Sequence, residues 1–113
     1  MIHLPLLDKK ETILLDRSLS LGEFDPYAEG AYRNVKSFPL DVKPGKELFV
    51  AVSSDNPVDV ALSNSDGICI KFKDSILNDT IGPIGTVKKE KIALVLGIFR
   101  GDTAELRIKA WMQ

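Results

Sequence analysis

The sequence predicts an all-β domain, an antiparallel β-sandwich of the jelly-roll or Greek-key kind with about seven to eight strands. Residues 44–72 contain three short apolar runs, and turn signals at residues 55–57 and 65–67 separate these runs. Apolar and polar residues alternate in each run, and side chains of a strand point alternately to its two faces. Three such strands form an antiparallel meander, which must pack its apolar face against a second layer. The side chains expected to face inward are Leu48, Val50, Val52, Val58, Val60, Leu62, Ile68, Ile70 and Phe72.

The segments before the meander are less regular. Residues 1–7 predict a short edge strand, because Pro5 cannot donate a ladder hydrogen bond. Residues 10–16 predict a strand that places Ile13 and Leu15 on one face. Residues 22–34 contain glycines, a proline and charges, and we interpret them as an inserted loop.

This inserted loop carries three aromatic residues, Phe24, Tyr27 and Tyr32. Two interpretations stay open. The rings pack under the sandwich as a plug, as large aromatic side chains usually do, or they form a contact surface.

Residues 38–42 predict the next strand, and the turn Lys43-Pro44-Gly45-Lys46 leads into the meander. Proline at the second position and glycine at the third are typical of a type II turn. After Phe72 the alternation weakens, and residues 74–85 are expected to form a long crossover of the kind that a Greek key requires.

The run at residues 92–99 is apolar on both alternating sides. We expect a central strand that is covered on both sides, the outer one by the aromatic loop or by a second subunit. The two sets of side chains are Ile92, Leu94, Leu96 and Ile98, and then Ala93, Val95, Gly97 and Phe99.

The last strand is expected to follow a tight hairpin turn at Arg100-Gly101-Asp102. Residues 103–112 alternate clearly between apolar and polar side chains. The inward set is Ala104, Leu106, Ile108 and Ala110, and the outward set is Glu105, Arg107, Lys109 and Trp111.

The order of these signals from about residue 17 to residue 110 resembles the small jelly-roll domains of the GOLD and pre-peptidase C-terminal type. The matching positions are Phe38, Leu40, Val42 and Gly45, then Asp55, Pro57, Val58, Asp59 and Val60, and then Asp66-Gly67. Two features differ. Glu90-Lys91-Ile92 stands where that family has Gly-Thr-Tyr, and the first loop is longer by residues 23–30. The resemblance implies a non-catalytic domain for protein contact, cargo recognition or sugar binding.

Composition and charge are consistent with one globular domain spanning residues 1–113. The chain is 44% hydrophobic and 27% charged, and a chain of this length buries roughly 65% of its unfolded surface. With 15 basic and 16 acidic residues the net charge is −1, so we expect no nucleic-acid partner.

The chain start and the hydropathy predict a cytoplasmic protein that does not bind membranes. Residues 1–10 lack the basic segment of a signal peptide, and Pro5 interrupts their apolar run. No run approaches the ~20 apolar residues that cross a bilayer.

Residues that could carry out catalysis are scarce. His3 is the single histidine and Cys69 the single cysteine, so neither a catalytic triad nor a zinc site is expected. Calcium prefers oxygen ligands. However, the Asp and Asn residues at 55–59 and 64–66 belong to turns at opposite ends of the meander and serve turn formation. We therefore expect no enzyme, no metal and no cofactor.

The expected function is a protein-interaction or self-assembly module, with a protein partner or a homo-oligomer. The alternative is a carbohydrate-binding module that stacks sugars on aromatic rings. The candidate binding residues for either are Phe24, Tyr27, Tyr32 and Trp111, since Trp and Tyr are enriched at contact hot spots.

Overall fold

The computed structural model describes residues 11–24, 32–99 and 101–113, whose strands are all antiparallel. The predicted edge strand at residues 1–7 lies outside these ranges. The strands are β1 (Thr12–Leu21), β2 (Glu23–Phe24), β3 (Tyr32–Arg33), β4 (Val35–Val42), β5 (Glu47–Ser63), β6 (Cys69–Gly85), β7 (Glu90–Gly97) and β8 (Ala104–Met112).

The six long strands form a single sheet that curls into a nearly closed barrel. Their order is β1-β8-β5-β7-β4, and β6 also pairs with β5. The first half of β5 pairs with β8 and the second half with β7, while β6 runs along both halves. The all-β prediction is confirmed. The predicted sandwich is replaced by a barrel-shaped sheet, because β5 and β6 pass continuously through both halves of the sheet.

The predicted turn at residues 55–57 is wrong, because this segment is a bend within β5. Ser54 Oγ donates to the Asn56 carbonyl oxygen at 2.6 Å, and Asn56 Nδ2 donates to the Thr103 carbonyl oxygen at 3.0 Å. These bonds deform the strand without reversing it, and the pairing with β6 shifts register there. The predicted three-stranded meander is therefore a hairpin of two long strands, β5 and β6.

The inward orientation predicted for Ile68, Ile70 and Phe72 is also wrong, since all three are exposed. A register shift between Leu62 and Ser63 inserts an irregularity into β6. As a result Lys71 lies opposite Leu62 and Lys73 opposite Val60, while Phe72 lies opposite Ala61 on the outer side. A shift of one residue exchanges the faces of a strand.

Two predicted connections also differ from the structure. Residues 74–85 belong to β6 and do not form a crossover. The turn around Gly101 is present, with Asp102 N donating to the Phe99 carbonyl oxygen at 3.0 Å. It does not close a hairpin, because β7 pairs with β4 and β5 whereas β8 pairs with β1 and β5.

The other inward predictions for β5 and β8 are confirmed, and these side chains fill the barrel together with one of the two apolar sets of β7. Leu48, Val60 and Leu94 are each at most 1% exposed. Thr86 is the buried polar side chain of the described core. Its Oγ1 donates to the carbonyl oxygens of Lys43 and Lys46, which ties the predicted turn at residues 43–46 to the β6–β7 connection. Gly45 has φ 80° in that turn, as a type II turn requires.

The barrel is closed between β1 and β4 by side chains. Lys36 Nζ donates to the Ser20 carbonyl oxygen at 2.7 Å. The Arg17 guanidinium lies 5.0 Å from the centre of the Phe38 ring. The short ribbon of β2 and β3 connects the two strands at one end.

Candidate functional site

The four predicted binding residues are divided between distant parts of the barrel. Phe24 and Tyr32 are register partners in the β2–β3 ribbon, and Tyr27 lies outside the described residues. Trp111 is the register partner of Ile13 near the start of β1. Because β2 follows the far end of β1, about 25 Å of strand separates Trp111 from Phe24. Trp111 therefore does not share one platform with Phe24 and Tyr32.

Trp111 instead belongs to an aromatic pair on the outer side of β8 and β5. Its ring stacks on Phe49 with centroids 5.5 Å apart and planes 12° apart. Lys109 Nζ lies 5.1 Å from the indole centre. Trp111 is half-buried, and its Nε1 atom has no hydrogen-bond partner within the described ranges.

Ile13, 48% exposed, lies beside Trp111, because a bulge before Leu15 puts Ile13 and Leu15 on opposite faces, so the prediction of one shared face is wrong. Next to this apolar group the outer side is charged and polar. Arg107 pairs with Asp16 at 3.2 Å and Lys109 with Glu11 at 3.1 Å. Ser53 lies in register with Arg107. This pattern is that of an ordinary solvent-facing sheet surface.

The opposite outer side, formed by β4, β7, the second half of β5 and the first half of β6, has a different character. Its central side chains carry no charge, and we call this surface the uncharged flank. Its members are Val35, Ser37, Pro39, Ala61, Ser63, Ile70, Phe72, Ala93, Val95 and Gly97.

The strand register places the members of the uncharged flank side by side in rows. Phe72, Ala61, Val95 and Ser37 form the middle row, since each lies opposite the next on the neighbouring strand. Asp59 lies in the same row as Gly97 and Val35, so of the three described rows two carry no charge. Four strands and two uncharged rows make a surface of roughly 19 by 14 Å, or about 270 Å².

Two members at the margins of the flank are well exposed, whereas the central ones are small. Phe72 is 58% exposed on the β6 side, and Val35 is 59% exposed on the β4 side. Between them Ala61, Ala93 and Val95 are half-buried. The predicted cover over the outer side of β7, by the aromatic loop or by a second subunit, stays a prediction, since residues 25–31 of that loop lie outside the described residues.

The Asp and Asn side chains that were considered as calcium ligands accept hydrogen bonds from backbone N–H groups. Asp55 Oδ1 accepts from Glu105 N at 2.9 Å, and Asp59 Oδ1 accepts from Ser75 N at 3.0 Å. Asn64 Oδ1 accepts from the N–H groups of Asp66 and Ile68, each at 3.0 Å. No group of three or more His, Cys, Asp or Glu residues suited to a metal ion occurs within the described ranges.

The bend of β6 forms a shallow cleft of about 430 Å³ lined by residues 72–79. Lys73 Nζ donates to Asp79 Oδ2 at 2.9 Å across this bend. That hydrogen bond, together with one from the Thr80 backbone N–H, lowers the pKa of Asp79. Cys69 is exposed nearby on β6, and its Sγ lies 3.4 Å from the Lys71 carbonyl oxygen.

Sequence reasoning identified the outer residues of β7 but missed the contribution of β4. The sequence does show that Val35, Ser37 and Pro39 occupy alternate positions and carry no charge. This pattern indicates a shared surface with β7 only once β4 is known to pair with β7.

Comparison with known proteins does not place the chain in a family. The described segments contain no helix with the length and apolar character needed to cross a bilayer. No protein-family model matches the sequence, and no curated protein matches it either.

Proposed function

We propose that this domain is a non-catalytic protein-interaction module that works by self-association through the uncharged flank. The observation that carries this proposal is the contrast between the two outer sides of the barrel. One side has charged residues paired across its strands, such as Arg107 with Asp16. The other exposes Phe72 and Val35 on a surface whose three described rows contain one charged residue, Asp59.

The monomer does not need this difference between its two outer sides in order to fold. An exposed apolar patch on a single protein rarely exceeds a few hundred Å², and such patches often mark contact sites. A second copy is a suitable partner, because the flanks of two copies carry little charge and therefore repel each other little. The net charge of −1 also gives little repulsion between whole molecules.

The size of the uncharged flank predicts a weak association. A standard interface takes about 800 Å² from each partner, and the flank offers roughly a third of that. We therefore expect a dimer that dissociates on dilution, with a dissociation constant on the order of micromolar or higher.

Two matched alanines on β5 allow a direct test. Ala61 lies on the uncharged flank and Ala51 on the opposite outer side, and both are half-buried. Ala61→Glu places a charge in the flank, whereas Ala51→Glu places the same charge beside Lys109, its register partner on β8. Sedimentation equilibrium should show a concentration-dependent dimer for the wild type and Ala51→Glu, and a monomer for Ala61→Glu. A wild-type monomer at millimolar concentration would refute the proposal.

The resemblance to GOLD and pre-peptidase C-terminal domains stays a prediction, and with it the finer jelly-roll assignment. It supports the proposal because those domains are non-catalytic contact modules. The bent β5–β6 hairpin, which contributes to both halves of the barrel, is compatible with such a topology.

Sugar binding is the second candidate function, and the aromatic pair of Phe49 and Trp111 favours it. The two rings stack with centroids 5.5 Å apart on the outer side of the sheet, and the half-buried indole leaves part of its aromatic surface for a sugar ring to stack on. A glycan array probed with the wild type and with Trp111→Phe tests this candidate. Absence of binding by the wild type across the array would remove it.

A further inference from the structure

A shallow groove lies beside the aromatic pair on the outer side of β8, β5 and β6, so this inference deepens the second candidate function, sugar binding, and rests on it. Ala51 and Ser53 of β5 form its floor, and Arg107, Lys109 and Asn78 rise on either side of a volume of about 210 Å³. A second depression of about 430 Å³ continues from Ser53 and Arg107. Together the two fall within the roughly 300–1,000 Å³ of small-molecule sites.

One row of polar side chains crosses four strands at this groove. Ser18, Arg107, Ser53 and Asn78 follow one another as register partners from β1 to β6. All four are exposed, and each of them can donate hydrogen bonds. The row therefore offers several donors, with a guanidinium among them, to a ligand lying across the strands.

Asp16 orients Arg107 without using all of its donors. The Nε and Nη2 atoms of Arg107 donate to Asp16 Oδ1 at 3.3 and 3.2 Å. A guanidinium carries five N–H donors in a fixed plane, so the Nη1 edge is still able to bind a carboxylate with two parallel hydrogen bonds. The ion pair with Asp16 thus holds this edge in place.

Lys109 joins the groove to the aromatic pair. Its Nζ lies 5.1 Å from the indole centre of Trp111 and 3.1 Å from Glu11 Oε2. An exposed ion pair of this kind contributes little to stability, so a ligand carboxylate can share the ammonium group. A sugar ring that stacks on the indole would have a cation directly beside it.

The second depression has the opposite character. Asp55 Oδ1 accepts from Glu105 N at 2.9 Å, and Glu105 Oε1 accepts from the Ser20 hydroxyl at 3.0 Å. An ionised carboxylate has about four acceptor positions, so both groups can accept further hydrogen bonds from hydroxyl groups. A ligand with a carboxylate in this depression would be repelled.

We propose that the groove binds a saccharide with a single carboxylate, a uronic acid, whose carboxylate lies on Arg107 and Lys109. The ring hydroxyls then face Asn78 on one side and the acceptors Asp55 and Glu105 on the other. A neutral sugar would leave the Nη1 edge of Arg107 without a charged partner. Because Asp16 and Glu11 offset much of the positive charge, we expect a dissociation constant on the order of millimolar.

Three small probes separate the features of this ligand in an NMR titration of backbone amide signals. Methyl glucuronide carries the ring and the carboxylate, methyl glucoside the ring without the carboxylate, and acetate the carboxylate without the ring. The wild type should bind the glucuronide about tenfold or more tightly than either of the others, because a charge-assisted hydrogen bond is stronger than a neutral one.

Matched variants locate the site. Arg107→Gln should lower the affinity for the glucuronide to that for the glucoside, whereas Lys91→Gln, which removes one positive charge from β7, should change nothing. Ala51→Glu places a carboxylate on the floor beside Lys109 and should abolish binding. Ala61→Glu should bind the glucuronide like the wild type, although it is expected to lose the dimer. Unfolding midpoints check that each variant folds.

Each other result would overturn this inference. Equal affinities for the glucuronide and the glucoside would do so and leave sugar binding standing, since both probes carry the same ring. Equal affinities for the glucuronide and acetate would indicate an anion site without sugar recognition. An Arg107→Gln variant that keeps the preference for the glucuronide, or a wild type that binds none of the probes, would also contradict it. The second candidate function itself fails only if the wild type binds no glycan on the array.

Discussion

Lys36 Nζ donates to the carbonyl oxygen of Ser20 at 2.7 Å, and this bond joins two strands that share no backbone ladder in the described sheet. The contact is partly buried, and a hydrogen bond from a charged donor is stronger than a neutral one. The barrel is therefore closed at this point by a side chain that a single substitution can remove.

We expect Lys36→Met to lower the free energy of unfolding by about 1–2 kcal/mol, because the Ser20 carbonyl oxygen loses a charged donor. Urea unfolding measures this change. Lys46→Met is the control, since Lys46 is exposed in the turn before β5, and its effect should stay within about 0.5 kcal/mol. Equal effects of the two variants would show that the β1–β4 contact contributes nothing.

Gly22 and Gly45 have nearly the same backbone conformation, with φ of 78° and 80°, but different surroundings. A Cβ at Gly22 would lie 1.9 Å from the Asp102 carbonyl oxygen, whereas nothing lies within 4 Å of a Cβ at Gly45. Gly45→Ala should therefore cost about 1–2 kcal/mol for the left-handed conformation alone. Gly22→Ala should cost clearly more, because backbone must also move. Thermal unfolding of the two variants compares them, and equal midpoints would contradict the close approach.

Leu94 lies at the centre of β7 with 0% of its surface exposed. Leu94→Ala should destabilise the domain by about 2–5 kcal/mol, since it leaves a cavity between β4 and β5. Chemical denaturation followed by tryptophan fluorescence can measure this loss. A cost below about 1 kcal/mol would argue against a packed barrel interior.

The pKa of Glu90 lies below its ordinary value of 4.5, because the Ser65 backbone N–H and the Ser65 hydroxyl both donate to its carboxylate. A lowered pKa in the folded state means that the ionised form stabilises the fold. This contribution is complete above pH 4.5 and is lost as the pH falls through the folded-state value. The difference in unfolding midpoint between wild type and Glu90→Gln should therefore be present at pH 6 and vanish in strong acid.

An independent measurement of the same contact is the carboxyl chemical shift of Glu90. Ser65→Ala removes the hydroxyl donor, so the Glu90 pKa should rise toward 4.5. An unchanged titration curve in Ser65→Ala would mean that the hydroxyl does not hold the carboxylate.

Much of the barrel interior could be predicted from alternation alone. Val50, Val60 and Leu106 were all placed inside correctly, because each belongs to a run in which apolar side chains recur at alternate positions. The turn glycine Gly45 was equally predictable, since few other residues adopt its backbone conformation.

The orientation of Phe72 could not be predicted in this way. Its run alternates as regularly as the others, but the irregularity opposite Ser63 exchanges the faces of β6. Such a shift depends on how the partner strand pairs, and the local sequence does not encode it. The same limit applies to the candidate surface. Its rows extend over four strands, and only the pairing of β4 with β7 brings Val35 and Val95 onto one side.

The pairing of β1 with β8 has a consequence for the synthesis of the protein. β1 ends at Leu21 and its ladder partner begins at Ala104, so more than 80 residues are translated between the two strands. During this interval the apolar side chains of β1 have no ladder to join, and the nascent barrel cannot close before the last strand has left the ribosome. Contacts between such distant positions in a chain also make folding slow. Truncated chains that lack β8 would leave the first half of β5 without its ladder partner on that edge. We expect such products to aggregate or to be degraded.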